Sequence, residues 1–281
     1  MVSAPANNLK SPLRWAGSKR KLLPILERMW KSSDNKYIEA FAGSACLFFH
    51  LRPQEAVLND ANRELVAAYE VLAKHPLLLH ETLQDMAPSS ETYYRIRSAD
   101  ISGMDKFEAA TRFFYLNRYC FNGIYRTNKD GAFNVPYASY KTGGVPGRDH
   151  WCKASDALNR AKLFSLDFEQ VVLDNVGAGD FVYLDPPYAV SNRRVFIQYS
   201  ANEFGLDDLR RLRSVMDYVD RAGATFVVSY ALSKETATLT RGWHSMRTLA
   251  QRNIAGFSHH RRKAVEVLIT NDAARLRQRN Q

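Results

Sequence analysis

Apolar positions in the first third of the chain recur with helical and strand periods in turn. A helical spacing joins Leu22, Leu23, Ile25, Leu26 and Met29. The next stretch, KYIEAFAGSACLFFHL (36–51), predicts a strand, a turn of small residues and a helix, and VLND (57–60) predicts a second strand. A helical pattern follows in NRELVAAYEVLAKHPLLLHETLQDM (62–86), with a break near Pro76.

The middle of the chain interrupts this alternation. FEAATRFFYLNRYCFNGIYRTN (107–128) is dense in aromatic residues, and DGAFNVPYASYKTGGVPGRDH (130–150) is rich in Gly, Pro and Tyr and predicts a loop. Strand-like segments return in LFSLDF (163–168), DFVYLDPPY (180–188), ATFVVSY (224–230) and AVEVLITN (264–271), with helical segments such as LDDLRRLRSVMDYVDRAG (206–223) between them.

Strands alternating with helices predict an α/β fold with a largely parallel sheet. The simplest account of the interruption is an inserted domain of helices and loops. We therefore predict one doubly wound domain, formed by residues 1–62 and 159–281, that carries an insert at 63–158.

The charge balance adds a partner class to this picture. The 281 residues carry a formal net charge of +10, and 26 arginines stand against 13 lysines. A guanidinium group is a planar fork that binds phosphate in two places. A basic protein with solvated charges accounts for the same numbers, but the arginine excess favours a polyanion partner, most simply nucleic acid.

Cysteine spacing and hydropathy bound the cellular setting. Cys46, Cys120 and Cys152 form no CxxC pair and no zinc spacing, so we expect reduced thiols in a cytoplasmic protein that holds no metal. No apolar run approaches the roughly 18–20 residues of a membrane span. The first ten residues contain no hydrophobic stretch typical of a secretory signal.

The segment EAFAGSACLFF (39–49) contains a turn of small residues, Ala42 to Ala45, between a strand and a helix. Such a turn lets a ligand approach the backbone closely. Asp60 lies 17 residues beyond Gly43, where an acid binds ribose hydroxyls in nucleotide sites. A tight strand–helix turn without a ligand explains the pattern equally well. The absence of GxGxxG indicates that any ligand is a nucleoside without a pyrophosphate.

The segment YLDPPY (183–188) ends a predicted strand with an acid, two prolines and an aromatic ring. The prolines cannot continue a buried strand, so Asp185 is fixed at its end. An adenine N6 amine is a poor nucleophile because its lone pair is delocalised into the ring. Two acceptors on its N–H bonds, here Asp185 and the carbonyl of Pro186, would free that lone pair. Tyr188 would stack on the extruded base. The alternative without a catalytic role is an ordinary Asp-Pro turn after a buried strand.

Basic and aromatic residues are interleaved between residues 112 and 141. Arg112, Arg118, Arg126, Lys129 and Lys141 lie among seven Tyr and Phe residues from 115 to 140. This composition suits phosphate contact and stacking, and arginine suits a guanine edge in the major groove. We interpret Phe113, Phe114 and Leu116 as helix core.

These motifs together resemble those of the Dam-type DNA adenine-N6 methyltransferases. LRWAGSK (13–19), EAFAGSACLFF, VLND, the FFYLNRYCFNGIYR–GAFNVPYASYK block (113–141) and YLDPPY occur in the order found in that family, over nearly the whole chain. The resemblance implies a Rossmann-like domain that binds S-adenosylmethionine and yields S-adenosylhomocysteine, with an inserted, mainly helical target-recognition domain. The implied substrate is double-stranded DNA, with GATC or a related palindrome as its target.

The resemblance also implies roles for individual residues. The implied catalytic residues are Asp185, Pro186, Pro187 and Tyr188. The implied cofactor-binding residues are Trp15, Ala16, Gly17, Lys19, Glu39, Phe41, Ala42, Gly43, Ser44, Asp60, Asp167, Phe168 and Asp185. The implied DNA-binding residues are Arg14, Arg118, Asn122, Ile124, Arg126, Asn134, Pro136, Tyr140 and Lys141.

The chain departs from the family pattern at a few positions. Ser18 replaces a usual glycine, the turn reads AGSA rather than G-x-G, and Ser139 stands where close relatives often carry a basic residue. We expect cofactor binding to survive because Gly17 and Gly43 remain. The pair His259–His260 has no explanation beyond a surface position.

Several alternatives stay open from the sequence. The chemistry also suits cytosine N4, RNA adenine or protein glutamine as the acceptor, although the aspartate and the insert favour adenine in DNA. A DNA-binding regulator with a retained but inactive fold is the alternative from another class. The family pattern is compatible with a monomer or homodimer, a cognate restriction enzyme, and a bacterial or phage protein at the nucleoid.

Overall fold

The fold is built on a seven-stranded sheet. The structure, a computed structural model, describes residues 9–138, 142–187, 204–251 and 263–276. The strands are β1 (Tyr37–Glu39), β2 (Ala56–Asn59), β3 (Ala161–Phe164), β4 (Phe181–Leu184), β5 (Thr225–Ala231), β6 (His244–Gln251) and β7 (Lys263–Thr270). Their order is β3-β2-β1-β4-β5-β7-β6.

Five strands of this sheet are parallel and one end is antiparallel. β1 pairs with β2 and with β4 in parallel, and β4 pairs with β5 in the same sense. β7 runs antiparallel between β5 and β6. The order reverses beside β1, because β2 and β3 lie on one side of it and β4 and β5 on the other. The predicted, largely parallel α/β sheet is confirmed.

Helices connect the strands. The helices are α1 (Leu23–Met29), α2 (Cys46–Leu51), α3 (Arg63–Lys74), α4 (Pro76–Asp85), α5 (Ser90–Ser98), α6 (Lys106–Tyr119), α7 (Arg148–Leu158), α8 (Phe168–Asn175), α9 (Leu206–Arg221), α10 (Thr236–Thr240) and α11 (Ala273–Leu276). Pro76 opens α4 at its first turn, where its missing N–H costs nothing, so the predicted break between α3 and α4 is confirmed.

Both faces of the sheet are covered, which gives three layers. Within β4, Phe181 and Tyr183 belong to the core on one face, and Val182 and Leu184 belong to the core on the other. Alternate side chains of a strand point to opposite faces, so a strand buried on both faces is apolar throughout. α8 and α9 fill the second face through Val171, Val172, Leu212 and Met216.

Between β2 and β3, the residues that the structure describes form five α-helices, α3 to α7. α3 packs against α6 and α7, and α4 packs against the same two helices. Phe113, Phe114 and Leu116 are buried in this bundle, as predicted for helix core. The loop predicted to end at residue 150 ends earlier, because α7 begins at Arg148.

Some elements had no sequence prediction. β6, α5 and α7 are examples. The predicted strand LFSLDF is shorter than expected, since β3 ends at Phe164 and Asp167 already caps α8.

The remaining expectations concern thiols and membranes. All three cysteines are free, and burial raises the pKa of Cys46 and of Cys120 to about 11. Within the described ranges, no helix is long and apolar enough to cross a membrane.

Candidate active site at the carboxyl edge of the sheet

The candidate site lies where the strand order reverses. β1 ends at Glu39, and the neighbouring β4 ends at Leu184 with Asp185 directly after it. In doubly wound sheets, ligands bind in the crevice at the carboxyl ends of the strands at such a reversal. Glu39 and Asp185 are therefore brought to the position in the fold that favours a ligand site.

Asp185 is held at one oxygen by two donors. The Lys19 ammonium lies 2.7 Å from Oδ1, and the Ser229 hydroxyl donates to the same oxygen over 2.9 Å. The Tyr183 hydroxyl lies 2.9 Å from Ser229 Oγ. Tyr183 and Ser229 are buried, whereas Asp185 keeps 19% of its side chain exposed. Asp185 is thus partly exposed at the end of its strand, while its Oδ1 is held by two donors.

The small-residue turn is tied to Asp60. The Gly43 N–H donates to one carboxylate oxygen of Asp60 at 2.8 Å, and the Asn62 N–H donates to the other at 2.9 Å. The Tyr69 hydroxyl donates to the Gly43 carbonyl at 3.0 Å. The turn and the second strand are therefore locked to each other through Gly43 and Asp60.

Gly43 is required by both conformation and space. Its φ is +47°, and a Cβ there would lie 2.9 Å from Trp15 Nε1. Trp15 in turn stacks on Tyr125 at a centroid distance of 6.0 Å. An indole from the N-terminal segment thus lies directly on the turn and joins it to the helical insert.

Three acids at this edge have raised pKa values. Burial raises the pKa of Glu39 well above its usual range, although a 2.9 Å hydrogen bond from the Tyr37 hydroxyl opposes this. Burial also raises the pKa of Asp60 and, despite Lys19, of Asp185. Removing carboxylates from water disfavours their charged form, so a cationic ligand would be favoured here. Among the described residues, no group of His, Cys, Asp and Glu is arranged to hold a metal ion.

The predicted adenine pair divides into two environments. Phe168 stacks on Phe41 at 5.1 Å and is buried. Asp167 caps α8 by accepting from the Glu169 N–H at 3.0 Å, and it also forms an ion pair with Arg211. Phe168 is therefore enclosed by Phe41, Phe204 and Arg211, and Phe41 is the partly exposed member of the pair.

An arginine seam, defined as Arg14, Arg112 and Arg118, joins the N-terminal segment and helices of the insert. Arg14 Nη1 donates to the carbonyls of Arg118 and Cys120 at 2.7 and 3.1 Å. Arg118 Nη2 donates to the Pro12 carbonyl at 3.2 Å, and burial together with Arg14 lowers the pKa of Arg118 to about 10. Arg14 and Arg118, both expected to contact DNA, have backbone partners within the fold.

Arg112 corrects one expectation from composition. Its guanidinium donates to the carbonyls of Ile96 and Arg97 at 3.1 and 3.0 Å, and the residue is 8% exposed. Arg112 is therefore not available to phosphate. Most aromatic residues of the same block are also buried rather than free to stack on DNA, namely Tyr115, Tyr119, Tyr125 and Phe133.

A short hairpin follows α6. Isolated bridges join Cys120 to Tyr137 and Thr127 to Phe133. Near its base, Asn122 and Gly123 have φ values of +54° and +63°. A Cβ on Gly123 would lie 2.8 Å from the Arg14 backbone, so only glycine fits there.

Arg126 and Asn134 pair across this hairpin. Arg126 Nε donates to Asn134 Oδ1 at 2.7 Å. Ile124, Arg126 and Asn134 are partly exposed, and Pro136 is exposed. The residues expected to read base edges thus share one small element, with the Arg126 side chain held in place by its neighbour.

The structure brings together six residues of the predicted cofactor set. Trp15, Lys19, Glu39, Gly43, Asp60 and Asp185 meet at the carboxyl edge. Pro186 is buried, Pro187 is exposed, and Ala42 and Ser44 are buried within the turn, whereas Gly17 is exposed and Ala16 donates its N–H to the Gly123 carbonyl. Tyr188, Tyr140, Lys141, Ser139, His259 and His260 lie outside the described residues.

Sequence reasoning missed Ser229, Tyr183 and Asn59. Asn59 is buried and binds the Ala40 carbonyl and both backbone groups of Leu166 through its amide. A polar residue inside an apolar strand run, as in VVSY and AVLN, was the available signal.

Comparison with known proteins identifies a matching family and several similar proteins. A family model described as D12 class N6 adenine-specific DNA methyltransferase matches residues 15–267. The chain is 35% identical to the type II methyltransferase M1.LlaDCHI of Lactococcus lactis subsp. cremoris, with 94% of this chain and 96% of that protein covered. It is 30% identical to the type II methyltransferase M.MjaIII of Methanocaldococcus jannaschii, with 94% and 99% covered. It is also 30% identical to the DNA adenine methylase of Vibrio cholerae, with 91% and 94% covered.

Proposed function

This chain belongs to the D12 class of N6 adenine-specific DNA methyltransferases, and we propose that it methylates an adenine flipped out of a short duplex motif, with S-adenosylmethionine as donor. The observation that carries the proposal is Asp185, fixed at the carboxyl end of β4 beside the Gly43–Asp60 turn. Asp185, a potential proton acceptor, and the turn at Gly43, a potential nucleoside site, thereby lie next to each other where the strand order reverses.

The fit to this donor rests on charge and shape. S-adenosylmethionine carries positive charge on its sulfonium and amino groups, and the edge holds three acids whose pKa values are raised by burial. The turn at Gly43 leaves no room for a side chain beneath Trp15. Phe41, which is partly exposed and backed by the buried Phe168, would supply an apolar surface for a nucleobase.

We assign the donor to the cofactor residues that the family resemblance implies. The N-terminal part is Trp15, Ala16, Gly17 and Lys19; the first strand and turn contribute Glu39, Phe41, Ala42, Gly43 and Ser44; the remainder is Asp60, Asp167 and Phe168. Asp60 would accept from ribose hydroxyls. Bound there, the donor supplies an electrophilic methyl group, and it leaves as S-adenosylhomocysteine when the C–S bond breaks.

Asp185 and its neighbours activate the amine. The carboxylate of Asp185 and the carbonyl of Pro186 would each accept one N6–H bond, which draws the nitrogen lone pair out of the ring and toward the methyl carbon. The methylated nitrogen then gives up one proton. The raised pKa of Asp185 suits its carboxylate to receive that proton. Tyr188, next to Pro187 in sequence, would stack on the flipped base.

The target would be read from the insert. We propose residues 63–158 as the target-recognition domain and residues 1–62 with 159–281 as the catalytic domain. Asn122, Ile124, Arg126, Asn134 and Pro136 share the hairpin that follows α6, and Tyr140 and Lys141 follow it in sequence. Arginine is the side chain best suited to a guanine edge, which supports GATC or a related palindrome as the target.

Single-molecule sequencing tests reaction and target together. DNA from cells that lack other adenine methylases would be sequenced after expression of the wild type and of Asp185→Ala. We expect N6-methyladenine at one motif, and only with the wild type. Methylation in both samples would remove Asp185 from the mechanism. No modified adenine in either would favour an RNA or cytosine acceptor or a non-catalytic regulator.

A further inference from the structure

Ser229 lies beside Asp185 because of the register of two parallel strands. β4 and β5 pair Tyr183 with Val227 and Leu184 with Val228, so the next step along both strands brings Asp185 beside Ser229. Neither Ser229 nor Tyr183 contacts the crevice, since they are 0% and 1% exposed. Their buried hydroxyl groups therefore form hydrogen bonds to other protein groups rather than to a ligand.

Proton counting orders these hydroxyls into a chain. Ser229 has one hydroxyl proton, and it is donated to Asp185 Oδ1 at 2.9 Å. The 2.9 Å contact between Tyr183 and Ser229 must then use the Tyr183 proton. The pKa of Tyr183 is raised well above its usual range by burial and by Asp185, so the phenol keeps that proton.

The two oxygens of Asp185 consequently differ. Oδ1 receives both the Lys19 ammonium and the Ser229 hydroxyl. Among the residues that the structure describes, no hydrogen bond reaches Oδ2. An oxygen that already accepts two strong donors is poorly placed to accept a third, whereas Oδ2 has no such donor among the described residues and is the oxygen left for an acceptor amine.

We infer that Ser229, supported by Tyr183, is a positioning residue that fixes Asp185 through Oδ1 and so presents Oδ2 to the acceptor amine. This inference rests on the proposed function, because it assigns the N6–H bond to one oxygen of the proposed acceptor. Chains of hydrogen bonds polarise and rigidify each other in a dry interior. Without the chain, the carboxylate could rotate about its Cβ–Cγ bond while Lys19 still held it.

Three substitutions test the chain by removing one group at a time. Ser229→Ala deletes the donor to Oδ1, and Tyr183→Phe deletes only the distant hydroxyl. Asp185→Asn removes the charge and replaces one of the two acceptor oxygens by an NH2 donor. Thr270→Val is the matched control, since Thr270 is also 0% exposed on the same sheet, but its oxygen accepts from the Asp272 N–H rather than from the site. The measurements are the single-turnover methyl-transfer rate and the separate dissociation constants for S-adenosylmethionine and duplex DNA.

We expect Ser229→Ala to slow transfer roughly 10- to 100-fold, the scale of a small misplacement of a reacting group. Both dissociation constants should stay within about twofold of the wild type, since neither ligand is contacted. Tyr183→Phe should slow transfer about fivefold, the equivalent of one neutral hydrogen bond. In the double variant the Tyr183 change should add almost nothing, because it acts through Ser229. Thr270→Val should transfer at the wild-type rate.

The outcomes separate this inference from the proposed function. A wild-type rate in Ser229→Ala, with Asp185→Asn inactive, would overturn the positioning role alone. Independent, multiplicative losses in the double variant would also overturn it. A wild-type rate in Asp185→Asn would instead remove the proposed catalytic site. If Ser229→Ala does not fold, a full rate in the isosteric Tyr183→Phe would still contradict the chain.

Discussion

The acids at the sheet edge and the arginines of the seam are both charges withdrawn from water, yet they are held differently. Arg14, Arg112 and Arg118 donate to backbone carbonyls, which are permanent parts of the fold. Glu39 accepts from the Tyr37 hydroxyl and Asp60 from two backbone N–H groups, and burial raises the pKa of both acids. Burial also lowers the pKa of Arg112 and of Arg118, so in both regions it disfavours the charged form. The two regions differ in position, because the acids lie at the carboxyl ends of strands, where ligands bind, and the arginines lie against backbone carbonyls.

The largest expected effect comes from breaking the seam. Arg112→Met keeps an apolar stem but leaves the carbonyls of Ile96 and Arg97 without this donor in a buried place. Two such losses cost about 2–6 kcal/mol. Thermal unfolding should show a midpoint roughly 10 °C lower. An unchanged midpoint, together with a weaker salt dependence of DNA binding, would show that Arg112 contacts phosphate rather than stabilising the fold.

Arg126→Met is the matched change in an arginine with a side-chain partner. Arg126 is partly exposed and pairs with Asn134, so its loss should leave the unfolding midpoint nearly unchanged. Loss of a base contact costs about 1–3 kcal/mol of discrimination. Competition between the target duplex and duplexes with one altered base pair should show relaxed choice. Equal weakening on every sequence would make Arg126 a phosphate contact.

A smaller effect is expected at the acidic edge, where Gly43 lies against Trp15, the sequence neighbour of Arg14. Gly43→Ala places a Cβ 2.9 Å from Trp15 at a φ of +47°, and the backbone strain alone costs about 1–2 kcal/mol. S-adenosylmethionine binding should weaken through displacement of the indole. The control Gly242→Ala has the same kind of φ, +80°, with its nearest contact at 3.9 Å. Equal affinity for the donor in both variants would show that Trp15 does not shape that site.

The mildest test changes only the charge of the edge. A raised carboxyl pKa stabilises the fold at low pH, and that contribution is lost as pH rises from the ordinary value near 4.5 through the folded value of Glu39. Glu39→Gln should therefore flatten the fall in stability with rising pH, by no more than about 1.4 kcal/mol per pH unit. Denaturant unfolding at several pH values measures the slope. Parallel slopes in the two proteins would contradict the raised pKa.

The sequence predicted the features that depend on neighbouring residues, such as strand ends and buried apolar strands. The two prolines after Asp185 end a strand wherever they occur, and the apolar runs on either side of the insert are buried on both sheet faces. Gly43 and Asp60 were both expected to serve one ligand, and the structure joins them by a hydrogen bond at the carboxyl edge.

Contacts between distant segments escaped the sequence. The stretch HSMRTLAQ is polar and forms β6 only because β7 offers it an antiparallel partner. Arg112 looks like any basic residue of an aromatic block, and its burial depends on where α5 ends against α6. Ser229 acquires a role only when β4 and β5 align.

The placement of the insert also sets an order of events during synthesis. Ile38 of β1 pairs with Val182 of β4, and the whole insert lies between them in sequence. A ribosome adds about 5–20 residues per second, so β1 waits for seconds before its central partner emerges. The contacts among α3, α4, α6 and α7 close within the insert itself. We therefore expect the bundle of α3, α4, α6 and α7 to be folded first on the ribosome, and to act as the platform on which the two separated parts of the sheet are later joined.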